Sequence, residues 1–415
     1  MGSKPLPIPA EQLLALAREH GTPLFVYDAA TIRARCAELT TRFDVVRYAQ
    51  KANSNLAILA EVRAAGCQVD AVSAGELGRA RAAGFAPEEI VFSADLLDRA
   101  ALEALARTPV RVNLGSTDML AQYAELGLAR AVTLRVNPGF GAGHGARVTT
   151  GGEHSKHGIW HADLEAVVAQ ARALGLEVTG LHVHVGSGAS VAGLVRAAEA
   201  MRELAPRIGP SLALISAGGG LPIPYRPTDP RPDLDHLARA WGAVRSELES
   251  LLDRPLTLEV EPGRYLVAEA GVLVTEVRAT KRSGATEFVL VDAGFHNLPR
   301  PVLYGAYHEV SLLGREPGEP LVPQVVAGPL CESSDVFFQD VDGRLEPRFL
   351  PRMQVGDFLC LHDAGAYAAS MASSYNGQPL AAEVLLTGGE TRLVARRQEA
   401  GELWWREPLP TRPRG

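Results

Sequence analysis

Between Phe43 and Arg264 the chain alternates apolar runs with alanine-rich stretches of helical spacing. The runs are FDVVRYAQK, CQVDAVS, EIVFSA, PVRVNLGS, RAVTLRVNP, EVTGLHVHVGS, LALISAGGG and LTLEVEPGR. Each ends in a polar or glycine-rich tip. This strand–helix rhythm predicts an α/β fold, a parallel (β/α)8 barrel of the TIM type over residues 27–265. After EPGRYLVAEAG the texture changes. From about Val272 the runs VLVTEVRATKR, EFVLVDAG, PQVVAGPLC, DFLCLHDAGAY, AEVLLTGG and ETRLVARRQ read as strands, with turn signals RSGAT, VDGR and LTGGE. They predict a mainly antiparallel β-barrel or sandwich domain over 266–415. Residues 1–26 are assigned to the same domain: AEQLLALAREHG reads as a helix and PLFVYD as a strand that can join its sheet.

Two stretches interrupt the barrel rhythm, GFGAGHGARVTTGGEHSKHG after the fifth strand and LPIPYRPTDPRPDLDH after the seventh. Both are Gly- or Pro-rich, longer than ordinary connections and on the active face, so they are candidate lids. The closing REPLPTRPRG reads as frayed.

Composition narrows the class. The chain has 415 residues, 47% hydrophobic and 21% charged, with a net charge of −7. That balance gives no reason to expect nucleic-acid or membrane partners. No apolar run is long enough to span a bilayer, and MGSKPLPIPAEQLL has no apolar core of signal-peptide type. The four cysteines are widely spaced and form no CxxC, so neither a disulfide framework nor a zinc site is indicated. A reducing cytoplasm is the simplest setting. HSKHGIWH gathers His154, His157 and His161, but no carboxylate or cysteine completes a ligand set, and no metal is expected.

In barrels of this kind the chemistry sits at the C-terminal strand ends. Here those ends supply Lys51, Ser73, Asn137, His184, Ser187, Gly218, Gly219, Gly220, Glu261 and Arg264. A lysine in a partly apolar mouth loses its proton more easily and can form a Schiff base, although a single lysine is ordinarily just solvated. In GLHVHVGSG, His182 and His184 either face opposite sides of the wall or sit at different depths. His184 is placed for its ring to stack, and His182 reads as structural. SAGGG allows close backbone approach and offers amides to an anion, beyond a plain tight turn. Glu261 can hold a pyridine nitrogen protonated, and Arg264 can bind phosphate or carboxylate. The set looks like a pocket for a phosphorylated aldehyde cofactor. Further on, FHNLPRPVLYGAYH, AGPLCESSDVF and LHDAGAYAASMASSYNG look singly like polar loops. Cys331 taken alone reads as a small buried hydrophobe rather than an acid.

YAQKANSN, VDAVSAGEL, LRVNPGFG, GGEHSKHGIW, HVHVGSG, SAGGG, EPGR, RPVLYGAYH, GPLCESSD and DAGAY carry a resemblance that runs nearly end to end. The chain resembles the fold-III pyridoxal-phosphate-dependent decarboxylases, and within them the diaminopimelate decarboxylase group. The resemblance implies pyridoxal 5′-phosphate held covalently by Lys51, with His184 on its ring and Glu261 at its nitrogen. Ser187, Gly219, Gly220 and Arg264 would surround the phosphate, and Tyr367 would also contact the cofactor. It implies substrate contacts from Arg264, Arg300, Tyr304, Glu332 and Tyr367, with Cys331 as proton donor. A head-to-tail homodimer with shared active sites follows from the family's CESSD and DAGAY loops. The implied reaction converts meso-2,6-diaminopimelate to L-lysine and CO2. The alternative is a related decarboxylase acting on another basic, D-configured or carrier-linked amino acid.

Overall fold

The computed structural model of the chain describes residues 4–143, 145, 149–315 and 319–408. Part of the first candidate lid and the end of the tail expected to fray lie outside these residues. Two compact units are present. One comprises Ala29–Pro224 and Thr228–Glu269, the other Met1–Asp28, Tyr225–Pro227 and Ala270–Gly415.

The first strand, β1 (Leu24–Asp28), belongs to the second unit. The barrel then follows as β2 (Val45–Ala49), β3 (Gln68–Ala71), β4 (Ile90–Ala94), β5 (Arg111–Leu114) and β6 (Ala131–Asn137). After the two-residue β7 (Ile159–Trp160) come β8 (Glu177–Val183), β9 (Leu214–Ser216) and β10 (Thr257–Val260). Neighbours pair in parallel, β6 with β8, and β10 closes the ring on β2. All eight runs read from the sequence form this wall, and closure leaves it no exposed edge. The unforeseen β7 directly follows the first insertion and pairs with β6.

Period two decides what faces the axis. Glu259 on β10 and Glu261 just beyond its end share a face, one layer apart. Glu259 is buried and accepts hydrogen bonds from Arg47 Nη2 (2.8 Å) and Arg111 Nη1 (2.9 Å). Burial works to raise its pKa, but the two arginines win and hold it below the usual carboxylate value. A charge cluster is thus locked under the layer that holds Glu261. Ser73, one of the strand-tip candidates, is a helix cap: its Oγ accepts from the Glu76 amide (3.2 Å).

The second unit adds β11 (Gly271–Ser283), β12 (Thr286–Val291), β13 (Val310–Leu313), β14 (Leu321–Ala327), β15 (Arg348–Pro351), β16 (Phe358–Leu361), β17 (Ala382–Thr387) and β18 (Glu390–Ala395). One sheet runs β15-β14-β12-β11-β1-β17-β18, with β16 joining β11 to β13. It is mainly antiparallel, as expected, but β1–β17 and β12–β14 are parallel pairs. Long connections separate the strands of each parallel pair, as parallel pairing requires. The two strands missed in the sequence, β13 and β15, are four residues each and carry no alternation long enough to read. The N-terminal helix Ala10–His20 presents Leu13, Leu16 and Ala17 to alternate residues of this sheet, among them Leu24, Val26, Val272, Val274 and Val384. Burying one such leucine contributes about 1.5–3 kcal/mol. Among the described residues no helix is long and apolar enough to cross a membrane.

Candidate active site

Strand β2 runs into a short 3₁₀ turn, Gln50–Ala52, that carries Lys51. Its side chain is 50% exposed, and Nζ lies 4.0 Å from Asp70 Oδ2. Asp70 projects from β3 and is buried. Burial first, and the charge of Glu261 second, push its carboxyl above the usual range, against the pull of Lys51 and a hydrogen bond from Ser93. Asp70 escaped the sequence reading because VDAVS looks like an ordinary strand. The available signal was the carboxylate itself, since an aspartate inside an apolar strand needs a partner.

His182 and His184 are two residues apart, so they share one face of β8 and its extension at different depths. Their opposite-face alternative is excluded. His182, expected to be structural only, lies with Nε2 2.9 Å from Glu261 Oε2. His184 sits nearer the mouth and its Nδ1 accepts the Gly219 amide at 3.1 Å. An amide can only donate, so the proton of a neutral His184 is on Nε2. Burial, then Arg135, Lys51 and His182, lower its pKa well below the ordinary histidine value. The ring is therefore neutral. Glu261 is the opposite case. Burial works to raise it, but the adjacent His182 first, with Lys51 further off, holds it below the usual range. Asn113 Nδ2 and Ser216 Oγ each stand 3.4 Å from Glu261 Oε1. Two buried carboxylates, Asp70 and Glu261, are thus shifted in opposite directions by their neighbours.

The glycines of SAGGG are required by packing. A Cβ on Gly219 would lie 2.2 Å from the Glu261 carbonyl oxygen, and one on Gly220 (φ +108°) 2.2 Å from that of Gly186. The backbone after β9 is thereby pressed against His184 and the end of β10. On the neighbouring turn Ser187 Oγ accepts from Arg264 Nη2 at 2.8 Å. Arg264 is itself buried in the first turn after EPG. Ser187 and the Arg264 guanidinium are thus joined beside the glycine turn, whose Gly219 amide is donated to His184.

The described part of the first insertion is tied to the barrel end. Asn137 Oδ1 accepts the amides of Gly139 (3.1 Å) and Gly152 (2.8 Å). His157 Nδ1 meets Asp95 Oδ2, and Asp95 Oδ1 accepts the Gly158 amide at 3.0 Å. Burial opposes ionisation of Asp95, but His157, Arg135 and that amide bring its pKa down to about 2. Among the described residues no group of three or more His, Cys, Asp or Glu side chains could hold a metal ion.

The other sequence candidates lie in the second unit. Arg300 is buried at the start of the short helix Arg300–Tyr304, which Gly305 ends in a left-handed conformation. Tyr304 is its last residue. Cys331 is exposed, not the buried hydrophobe its type suggests, because it sits on a turn. Its amide donates to Asn376 Oδ1 at 2.8 Å. Glu332 beside it is also exposed. The turn is pinned by buried Asp335, whose carboxylate accepts the amides of Phe295 (2.7 Å) and Leu330 (2.8 Å). Tyr367 of DAGAY has a left-handed backbone, φ +56°, an uncommon state for a bulky residue that marks a constrained position.

Comparison with known proteins agrees with this geometry. Residues 29–268 match the pyridoxal-binding domain of the pyridoxal-dependent decarboxylases. Over 400 residues the chain is 52% identical to the diaminopimelate decarboxylase of Streptomyces coelicolor, covering 94% of this chain and 90% of the relative. The Escherichia coli K12 diaminopimelate decarboxylase is 48% identical over 402 residues, covering 95% of this chain and 96% of that one. A diaminopimelate decarboxylase crystal structure superposes with a TM-score of 0.94 at 48% identity, covering 99% of both chains. The Helicobacter pylori diaminopimelate decarboxylase, solved with L-lysine, superposes with a TM-score of 0.86 at 30% identity, covering 94% of this chain and 98% of that one. The chain therefore belongs to the pyridoxal-dependent decarboxylases, on the branch of the diaminopimelate decarboxylases.

Proposed function

We propose that the chain decarboxylates meso-2,6-diaminopimelate to L-lysine and CO2 with pyridoxal 5′-phosphate. The observation that carries the reading is the placement of His184, its Nδ1 occupied by the Gly219 amide, and of Glu261, held beside His182, at two depths of one barrel end. That pair fits a pyridine ring, with an uncharged face to stack on and a carboxylate for the ring nitrogen. Lys51 supplies the amine for the aldehyde. Ser187, Arg264 and the Gly220 amide suit the phosphate, Gly219 lets the backbone come close to it, and Tyr367 adds a contact to the cofactor. When bound, the cofactor takes up the electron pair that CO2 leaves behind. The chain's own residues do the rest. Arg264, Arg300, Tyr304, Glu332 and Tyr367 hold the substrate's two amino-carboxylate ends. Cys331 Sγ gives its proton to the carbon that lost CO2. The substrate assignment is supported by relatives at 48–52% identity and by the L-lysine held by the Helicobacter pylori relative.

The test is CO2 release by the pyridoxal-phosphate-loaded protein from meso-diaminopimelate, L-ornithine, L-lysine and D-lysine. Strong preference for the first, with L-lysine as product, is expected. Preference for another amino acid, or no turnover at all, would overturn the substrate.

We also propose a head-to-tail homodimer in which the CESSD and DAGAY loops of one subunit complete its neighbour's site. The exposure of Cys331 and Glu332 supports it, since both need a partner surface to act on a buried carbon. Mixing Lys51→Ala with Cys331→Ala subunits should then restore activity. Equal mixing makes half the dimers hybrid, each with one intact site, so about a quarter of the wild-type turnover is expected. Verified hybrids without activity would exclude shared sites. A donor that must remain a thiol also suits the reducing cytoplasm.

A further inference from the structure

Arg300 is held by two groups of its own unit. Its guanidinium carbon lies 4.6 Å from the centre of the Tyr225 ring, and Nη1 is 2.7 Å from His308 Nε2. His308 is 2% exposed, packs edge-on to Tyr225 at 5.6 Å, and places Nδ1 2.7 Å from the His362 carbonyl oxygen. These contacts fix the state of the imidazole. A carbonyl oxygen only accepts, so Nδ1 carries the proton. A guanidinium only donates, so Nε2 carries none. One state satisfies both, the neutral Nδ1–H tautomer.

We infer that His308 is the positioning residue through which Arg300 recognises the distal carboxylate of the substrate, an inference that rests on the function proposed above and deepens it. The imidazole orients the guanidinium without cancelling its charge. Tyr225 fixes the plane of the fork, and His308 fixes its rotation within that plane. A fork held in one plane and one rotation favours the bidentate geometry that a carboxylate prefers. A carboxylate at position 308 would instead compete for the fork. A group with no acceptor would let it rotate. The diamino acid product keeps the distal ammonium and carboxylate, so L-lysine reports on Arg300. 1,5-Diaminopentane has both nitrogens and no carboxylate, so it does not.

The experiment compares His308→Leu, His308→Gln and His308→Glu in the loaded holoenzyme, with ¹⁵N NMR of the wild type. In the wild type the His308 ring should read as neutral with the proton on Nδ1. In His308→Leu the KM for meso-diaminopimelate and the inhibition constant of L-lysine should each rise about tenfold, the scale of one charge-assisted hydrogen bond, while kcat changes less. Inhibition by 1,5-diaminopentane should not change. Gln, which can still accept near the Nε2 position, should recover most of the loss. Glu should be at least as impaired as Leu, and carries the same comparison if Leu does not fold. A proton on Nε2, an imidazolium, or equal weakening of both inhibitors would overturn the assignment. If the wild type released no CO2 from meso-diaminopimelate, the proposed reaction would fall on its own. The NMR signal and the affinities of L-lysine and 1,5-diaminopentane by calorimetry would still decide the role of His308.

Discussion

Replacing Lys51 by alanine is expected to abolish turnover and the visible absorbance of the covalently held cofactor, with little change in thermal stability. The side chain is half exposed on a turn, so truncation removes little packing, within about 0.5 kcal/mol for a surface position. What it removes is the only amine that the barrel end offers an aldehyde among the described strand tips. Loss of a covalent-catalysis residue typically costs on the order of 10⁴-fold or more in kcat. Asp70 adds a second readout. Lys51 is one of the groups that lower its pKa, so in Lys51→Ala that carboxyl should titrate at still higher pH. A visible band retained without Lys51 would remove it from the mechanism.

Glu261→Gln should keep the cofactor and lose most of the rate. Glutamine preserves size and can still be met by Asn113 and Ser216, but it cannot hold a ring nitrogen protonated. A fixed charge aimed at where charge develops is worth about 10²–10³ in kcat. The sign of the pH effect is also set. The folded protein holds Glu261 below the usual carboxylate pKa, so it is ionised throughout the neutral range. Loss of activity in Glu261→Gln should therefore be uniform from pH 6 to 9 rather than recovered at either end. Steady-state kinetics across that range, with absorbance to verify cofactor loading, checks it. A Gln variant that turns over like the wild type would exclude Glu261 as the electronic partner of the ring.

Much of the barrel was legible because its signals are local. Eight apolar runs with polar tips, separated by helical stretches, became eight parallel strands in the same order. The six later runs became strands of one sheet, and PLFVYD joined that sheet as β1. The strands that were missed, β7, β13 and β15, are two to four residues long and owe their form to a neighbour's backbone. Charge state was less legible. Asp70 and Glu261 are both single acids at strand ends, yet one is raised and the other lowered. The partner of His182 was not legible, because nothing in GLHVHVGSG shows which carboxylate it will meet. Cys331 looked buried by type, and the exposed turn that overrides its type is held by Asp335 of the same segment, which also binds Phe295, and by the distant Asn376.

The sequence alone determined the order and type of the long elements, the glycines where backbones must touch, and the residue types at each strand tip. Hydrophobic period, turn chemistry and steric demand act within a few residues, so they can be read without a fold. Only the tertiary structure decided which tips come together, which histidine is neutral, and that His308 orients Arg300. Those properties depend on burial and on charges brought within a few ångströms from distant parts of the chain, where desolvation and Coulomb terms set the state of each group.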